Sequence, residues 1–222
     1  NWKGQESPLP YWSYRQTLCV ILKNRSSMIK IHDSWTFMNP NENEKYEDFK
    51  FDEYYERMIR NEKLRHIPKS IFEQWIYGLH FEDNTLRNYA WINYENIEFN
   101  ICDWDFNDLA KVNIIEDFKD YFDNRASYKD FDQFCCTDED LDCWKENGTW
   151  KTPPIILDIC SLTTEIPKWS ELIPPYQLVE GHSRLGYLHS MKRISDLNKG
   201  KIALKHKIYL MREKSTNAQH VV

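Results

Sequence analysis

From Tyr176 to Val179 the chain is apolar and β-prone, it breaks at Glu180 and Gly181, and apolar residues then return at Leu185, Leu188, Met191 and Ile194. Apolar positions three apart mark one face of an amphipathic helix, so a strand is expected to run into a helix through a turn on Gly181, His182, Ser183 and Arg184. Pro153 to Asp158 reads as a buried strand upstream. Lys205 to Arg212 reads as a strand downstream, after a loop that holds Asn198 to Lys201. The order strand, strand, glycine turn, helix, strand describes a compact α/β unit.

The first 150 residues carry a different pattern. Leu18 to Leu22 and Ser27 to Ile31 are short apolar runs separated by Lys23 to Ser26, which suits two strands joined by a short turn. Asn39 to Glu44 reads as a loop. Tyr46 to Leu64 is charged, with Phe51, Tyr54, Tyr55 and Met58 at helical intervals, and predicts an amphipathic helix. Pro68 to Tyr77 predicts a second, with proline near its first turn and Gly78 just past its end. Asn88 to Trp91 extends helically, Ile97 to Cys102 alternates like a strand, and Ile114 to Phe122 predicts a third helix. Asp130 to Asn147 is an acidic stretch with a loop ending near Gly148. The fold class expected is α+β: a helical, aromatic-rich region over residues 1–150, an α/β unit over 151–214 and a tail over 215–222. No Gly/Ser-rich linker separates the first two, so they can pack as one unit.

Composition changes this picture little. A chain of 222 residues with 41% hydrophobic content can bury a core, and its nine Trp and thirteen Tyr are expected mostly inside it. No apolar run approaches the roughly 18 residues of a membrane span, so no membrane partner is expected. Nothing near Asn1 resembles a secretory signal. Cys19, Cys102, Cys135, Cys136, Cys143 and Cys160 are scattered, which predicts reduced thiols and a cytoplasmic protein. Cys135, Cys136 and Cys143 are only three thiols with no histidine nearby, so no metal site is expected there.

Charge matters more. Residues 153–222 carry ten Lys/Arg against six Asp/Glu, whereas residues 1–152 carry nineteen against twenty-nine. The positive charge therefore gathers around the glycine turn, where a nucleotide would benefit from it. Nucleic acid is a weaker expectation, because the acidic remainder argues against broad coating.

The turn has the chemistry of a phosphate site. Gly181 lets the backbone approach a ligand, and free N–H groups at a helix start attract an anion. Ser183 can cap the helix or donate to a phosphate oxygen, and Arg184 can hold one through two hydrogen bonds.

On these residues, positions 153 to 213 resemble the ParB/sulfiredoxin fold: a strand like Pro154 to Leu157, a strand running into an acidic-Gly-x-x-Arg turn, a helix, and a closing strand like Lys207 to Leu210. Glu180 to Arg184 is most similar to the Asp-Gly-His-Thr-Arg turn of members such as the ParB-like free-serine kinases. The resemblance implies that Gly181, His182, Ser183 and Arg184 bind nucleotide phosphates, with a nucleoside triphosphate (ATP or CTP) and Mg²⁺ as cofactors. His182 stands where sulfiredoxins carry their reactive cysteine, which argues against thiol reductase chemistry. Leu185 follows Arg184 where the partitioning proteins carry a second arginine, which argues against their CTP clamp.

The function expected is nucleotide binding with phosphoryl transfer or NTP hydrolysis, in which Glu180 acts as base or Mg²⁺ ligand and His182 stabilises charge or fixes the turn. An acid from the N-terminal region would be needed to complete such a site. The alternative is a non-enzymatic nucleotide sensor, or a module whose acidic N-terminal region binds a protein partner in a mobile-element or phage-conflict setting. A ParB-like nuclease is a third reading and would need a metal-binding acidic group. Upstream, His66, His80, Glu82, Asp83 and Arg87 are polar residues to follow, with His80 expected on the surface of a loop. Along Asp103 to Asp108, Trp104 and Phe106 are expected to turn inward and the acids outward.

Overall fold

The computed structural model describes residues 29–40, 50–197 and 199–215. The strand pair expected within 18–31 lies almost wholly outside them. Four helical segments come first: α1 (Asp33–Phe37), α2 (Phe51–Ile59), α3 (residues 69–79) and α4 (Asp83–Tyr89). Within α3 the stretch Phe72–Ile76 is wound as π-helix. Next come β1 (Ile97–Trp104), α5 (Phe106–Leu109), α6 (Glu116–Ala126) and α7 (Asp138–Asn147). The chain closes with β2 (Ile155–Asp158), β3 (Tyr176–Glu180), α8 (His182–Asp196) and β4 (His206–Glu213).

The four strands form one mixed sheet in the order β1-β4-β2-β3. β4 pairs antiparallel with β1 and parallel with β2, and β2 pairs antiparallel with β3. The protein is thus α+β. β1, from the acidic region upstream, and β4, from the basic region downstream, lie side by side, so both regions contribute to the same sheet.

The sheet has a core on each face. In β2, Ile155, Ile156 and Leu157 are all fully buried, the signature of a strand covered on both sides. Alternation sends Ile155 and Leu157, with Val179 and Met211, into a core built with α1 to α4. Ile156, Leu178 and Ile208 face the opposite core, built with α7 and α8. The apolar stripe of α8, Leu185, Leu188, Met191 and Ile194, is buried there as its spacing predicts. α6 lies against α8 at Gly186, where a Cβ would come within 2.6 Å of the Arg125 Cβ.

Three expectations differ from what forms. The acidic stretch from Asp130 contains the helix α7, capped by Thr137: its hydroxyl accepts from the Asp140 N–H at 3.2 Å and donates to the Asp140 carboxylate at 2.8 Å. Asp138, Glu139 and Asp140 complement the positive end of that helix, and Trp144 buries its inner face. The second difference is α4: the helical stretch expected over Asn88 to Trp91 forms instead over Asp83–Tyr89, so that Asp83 and Arg87 from the polar set lie on it. The third is His80, which is buried and stacks on Trp35 with ring centroids 4.7 Å apart, rather than standing on the surface.

Candidate anion site at the start of helix α8

β3 ends at Glu180, and Gly181 makes the turn with φ +105°, a left-handed conformation that costs any other residue free energy. A Cβ here would also sit 2.5 Å from the Cβ of Pro154. Two independent constraints therefore require glycine. The helix begins at once, so His182, Ser183 and Arg184 form its first turn rather than a loop. The first intrahelical bond runs from Leu185 N–H to the Gly181 carbonyl at 2.9 Å. The amides of His182, Ser183 and Arg184 accordingly have no intrahelical acceptor, and they carry the positive end of a 15-residue helix.

Ser183 does not cap the helix; Gly181 occupies the cap position without a side-chain bond. The Ser183 hydroxyl instead pairs with the Tyr121 hydroxyl of α6 at 2.6 Å. Arg184 is held by one nitrogen. Its Nη2 donates to the Glu180 carboxylate at 2.7 Å and to the Gln74 side-chain carbonyl at 2.8 Å. Its Nε is buried without a partner and lies over Gly181, 3.1 Å from where a Cβ would be.

Burial pushes the Glu180 carboxyl above the ordinary carboxylate range, against the pull of the Arg184 guanidinium. His182 stacks on Phe118 with ring centroids 4.2 Å apart. Burial, assisted by the nearby Arg184 charge, lowers its pKa to about 4, so the ring is neutral at physiological pH. Its Nε2 is buried and has no partner, and the same holds for the Nε2 of Gln74. Glu180 to Arg184 line a cavity of about 210 Å³ together with Cys135, Cys136 and Asp140.

The five residues from Glu180 to Arg184 thus come together in one place. Sequence reasoning missed the residues that complete it, Gln74 from α3, Phe118 and Tyr121 from α6, and Asp140 from α7. Asp140 is an acid from the N-terminal region, and a Thr-x-x-Asp capping pattern marked it in advance. The remaining candidates lie in other roles. His66 bonds the Ile97 carbonyl at 2.7 Å, and Arg87 bridges Asp117 and Glu171, each at 3.0 Å. Glu82 and Asp83 stand at the start of α4. Trp104 and Phe106 pack against the α8 side of the sheet, and Asp105 caps α5.

Mg²⁺ is usually held through one or two carboxylates plus substrate phosphates. Here Glu180 is engaged with Arg184 and Asp140 with Thr137, and among the described residues no three His, Cys, Asp or Glu side chains gather into a metal-binding group. The donor set does not fit a resident ion. Among the described residues no helix is long and apolar enough to cross a membrane.

Scanned against protein-family models, curated proteins and solved structures, the chain matches none of them. The ParB/sulfiredoxin resemblance therefore rests on the residues that carry it, from Pro154 to Leu210.

Proposed function

We propose that the protein binds the phosphate chain of a nucleotide at the start of α8, and that the site recognises its ligand rather than turning it over. The observation that carries this reading is the convergence of orphaned polar groups. Arg184 Nε and His182 Nε2 are buried without partners on the helix's first turn, whose three amides have no intrahelical acceptor. Leaving a buried donor unsatisfied costs about 1–3 kcal/mol, so the Arg184 Nε–H, and His182 in its Nε2–H tautomer, call for an acceptor. Phosphate supplies such an acceptor, and its charge suits a helix N-terminus. The resemblance of Glu180 to Arg184 to a phosphate-binding turn points the same way.

Recognition is favoured over phosphoryl transfer because the nearest carboxylate is already engaged. Glu180 would have to leave Arg184 before acting as a base, and that would strip the arginine of its charged anchor. The cavity, at about 210 Å³, is smaller than the roughly 300–1,000 Å³ of pockets that enclose whole small molecules. It takes phosphate groups and leaves sugar and base at its mouth, so base selectivity should be weak.

A thermal-shift series with ATP, ADP, CTP, GTP and inorganic triphosphate tests this. A ligand at a hundredfold its Kd adds about 2.7 kcal/mol of stability. Comparable shifts with ATP, CTP and inorganic triphosphate, without release of inorganic phosphate from ATP over hours, are the expected result. Phosphate release that stops on Glu180→Gln would favour the phosphoryl-transfer reading, and no shift with any ligand would reduce the turn to a structural helix start.

A further inference from the structure

α3 packs on the face of the sheet opposite the body of α8, yet one of its side chains reaches the anion site past the end of β3. Ile71, Phe72, Trp75 and Ile76 are all fully buried in the first core, and Glu73 points to solvent. Gln74 lies between these two faces, on the π-wound stretch Phe72–Ile76. Winding of this kind shifts side-chain directions along a helix and recurs at functional sites. Here Gln74 lies within hydrogen-bonding distance of an arginine 110 residues away in sequence.

The two anchors of Arg184 are chemically unlike. Both use Nη2, so the guanidinium pivots on one atom. Glu180 is the last residue of β3, joined to α8 through Gly181. Gln74 belongs to a separate helix and fixes the guanidinium against the rest of the protein. With Nη2 held, Nε stays over Gly181, the residue from which α8 starts, and neither Nε nor Nη1 bonds to the described residues. Glutamine does this without adding charge. A carboxylate in its place would put a second anion on the same nitrogen and oppose an incoming phosphate.

We infer that Gln74 is a positioning residue of the anion site: it acts through Arg184, holding Nη2 so that Nε faces the phosphate acceptor at the helix start. This rests on the phosphate-binding reading above and assigns to α3 a part in ligand recognition.

The experiment titrates inorganic triphosphate calorimetrically into the wild-type chain, Gln74→Met, Arg184→Gln and the double variant, with each melting temperature taken without ligand. Methionine fills the glutamine's volume and lacks the acceptor. The expected result is binding by wild type, about tenfold weaker binding by Gln74→Met at a near-unchanged unliganded melting temperature, and no further loss when Gln74→Met is added to Arg184→Gln. Gln74→Glu, which keeps an acceptor for Arg184, should fold and still bind more weakly, which separates charge from packing. Wild-type binding with equal affinity in Gln74→Met overturns this inference alone. Equal losses from Gln74→Met in both backgrounds also overturn it, because the effect then bypasses Arg184. No binding by wild type overturns it together with the phosphate-binding reading.

Discussion

Replacing Gly181 by alanine tests whether the β3–α8 junction is built as described. Two costs are legible in the geometry. The backbone at φ +105° disfavours a Cβ, at about 1–2 kcal/mol for a left-handed non-glycine residue. The new methyl would then stand 2.5 Å from the Pro154 Cβ and 3.1 Å from its Cα. An ordinary carbon contact needs about 3.5–4 Å, so roughly 1 Å of movement is required. Pro154 cannot swing away as a long side chain would, because its ring is fused to the backbone and β2 starts at the next residue. Overpacking of this kind typically costs about 1–3 kcal/mol. The sum is about 2–5 kcal/mol, a large share of the stability of a typical domain. Urea unfolding of wild type and Gly181→Ala, with m-values compared to confirm a common transition, measures it. A loss below about 1 kcal/mol would refute the claim that turn conformation and Pro154 contact both require glycine.

Two further predictions concern charge. In Arg184→Ala the Glu180 carboxyl loses the group that offsets its burial, so its already raised pKa rises further. Below the ordinary carboxylate pKa the group is protonated in both folded and unfolded chains; between that pKa and the raised folded-state one the folded chain binds more proton, and stability falls as pH rises through that window. Arg184→Ala should therefore cost more at pH 8 than at pH 5 in urea unfolding, and an equal cost at both would contradict the pairing. His206 is fully buried, bonds the Thr149 hydroxyl at 2.9 Å, and has its pKa lowered by burial to about 4. Its neutral form stabilises the fold above the unfolded pKa of about 6.5, and that contribution is lost as pH falls towards 4. Between pH 7 and 4.5, His206→Phe should lose about 2–3 kcal/mol less than wild type at 1.36 kcal/mol per pKa unit, and parallel losses in the two proteins would show that His206 does not carry the acid sensitivity.

The parts of the fold that periodicity reveals are those whose burial follows a simple rule. The continuous run Ile155, Ile156, Leu157 marks a strand covered on both faces, and Leu185, Leu188, Met191 and Ile194 mark the buried side of α8. α7 escaped because it buries essentially one side chain, Trp144, and leaves no stripe; its signal lies in the Thr137 and Asp140 capping pair. His80 could not be placed from its polar neighbours, since its burial comes from stacking on Trp35, 45 residues earlier. At the site the same limit applies. Glu180 to Arg184 are contiguous and visible as a motif, whereas Gln74 and Tyr121 arrive through tertiary packing across 110 and 62 residues. The motif also does not reveal that Arg184 is already paired with Glu180 or that Ser183 faces Tyr121.

The most direct test of phosphate recognition at the start of α8 follows backbone amide resonances of the ¹⁵N-labelled chain during titration with inorganic triphosphate. Amides without intrahelical acceptors should respond first, so the cross-peaks of His182, Ser183 and Arg184, with the Arg184 Nε–H, should shift and saturate together. Saturating shifts confined to other parts of the chain, with these four resonances unmoved, would contradict phosphate binding at this helix.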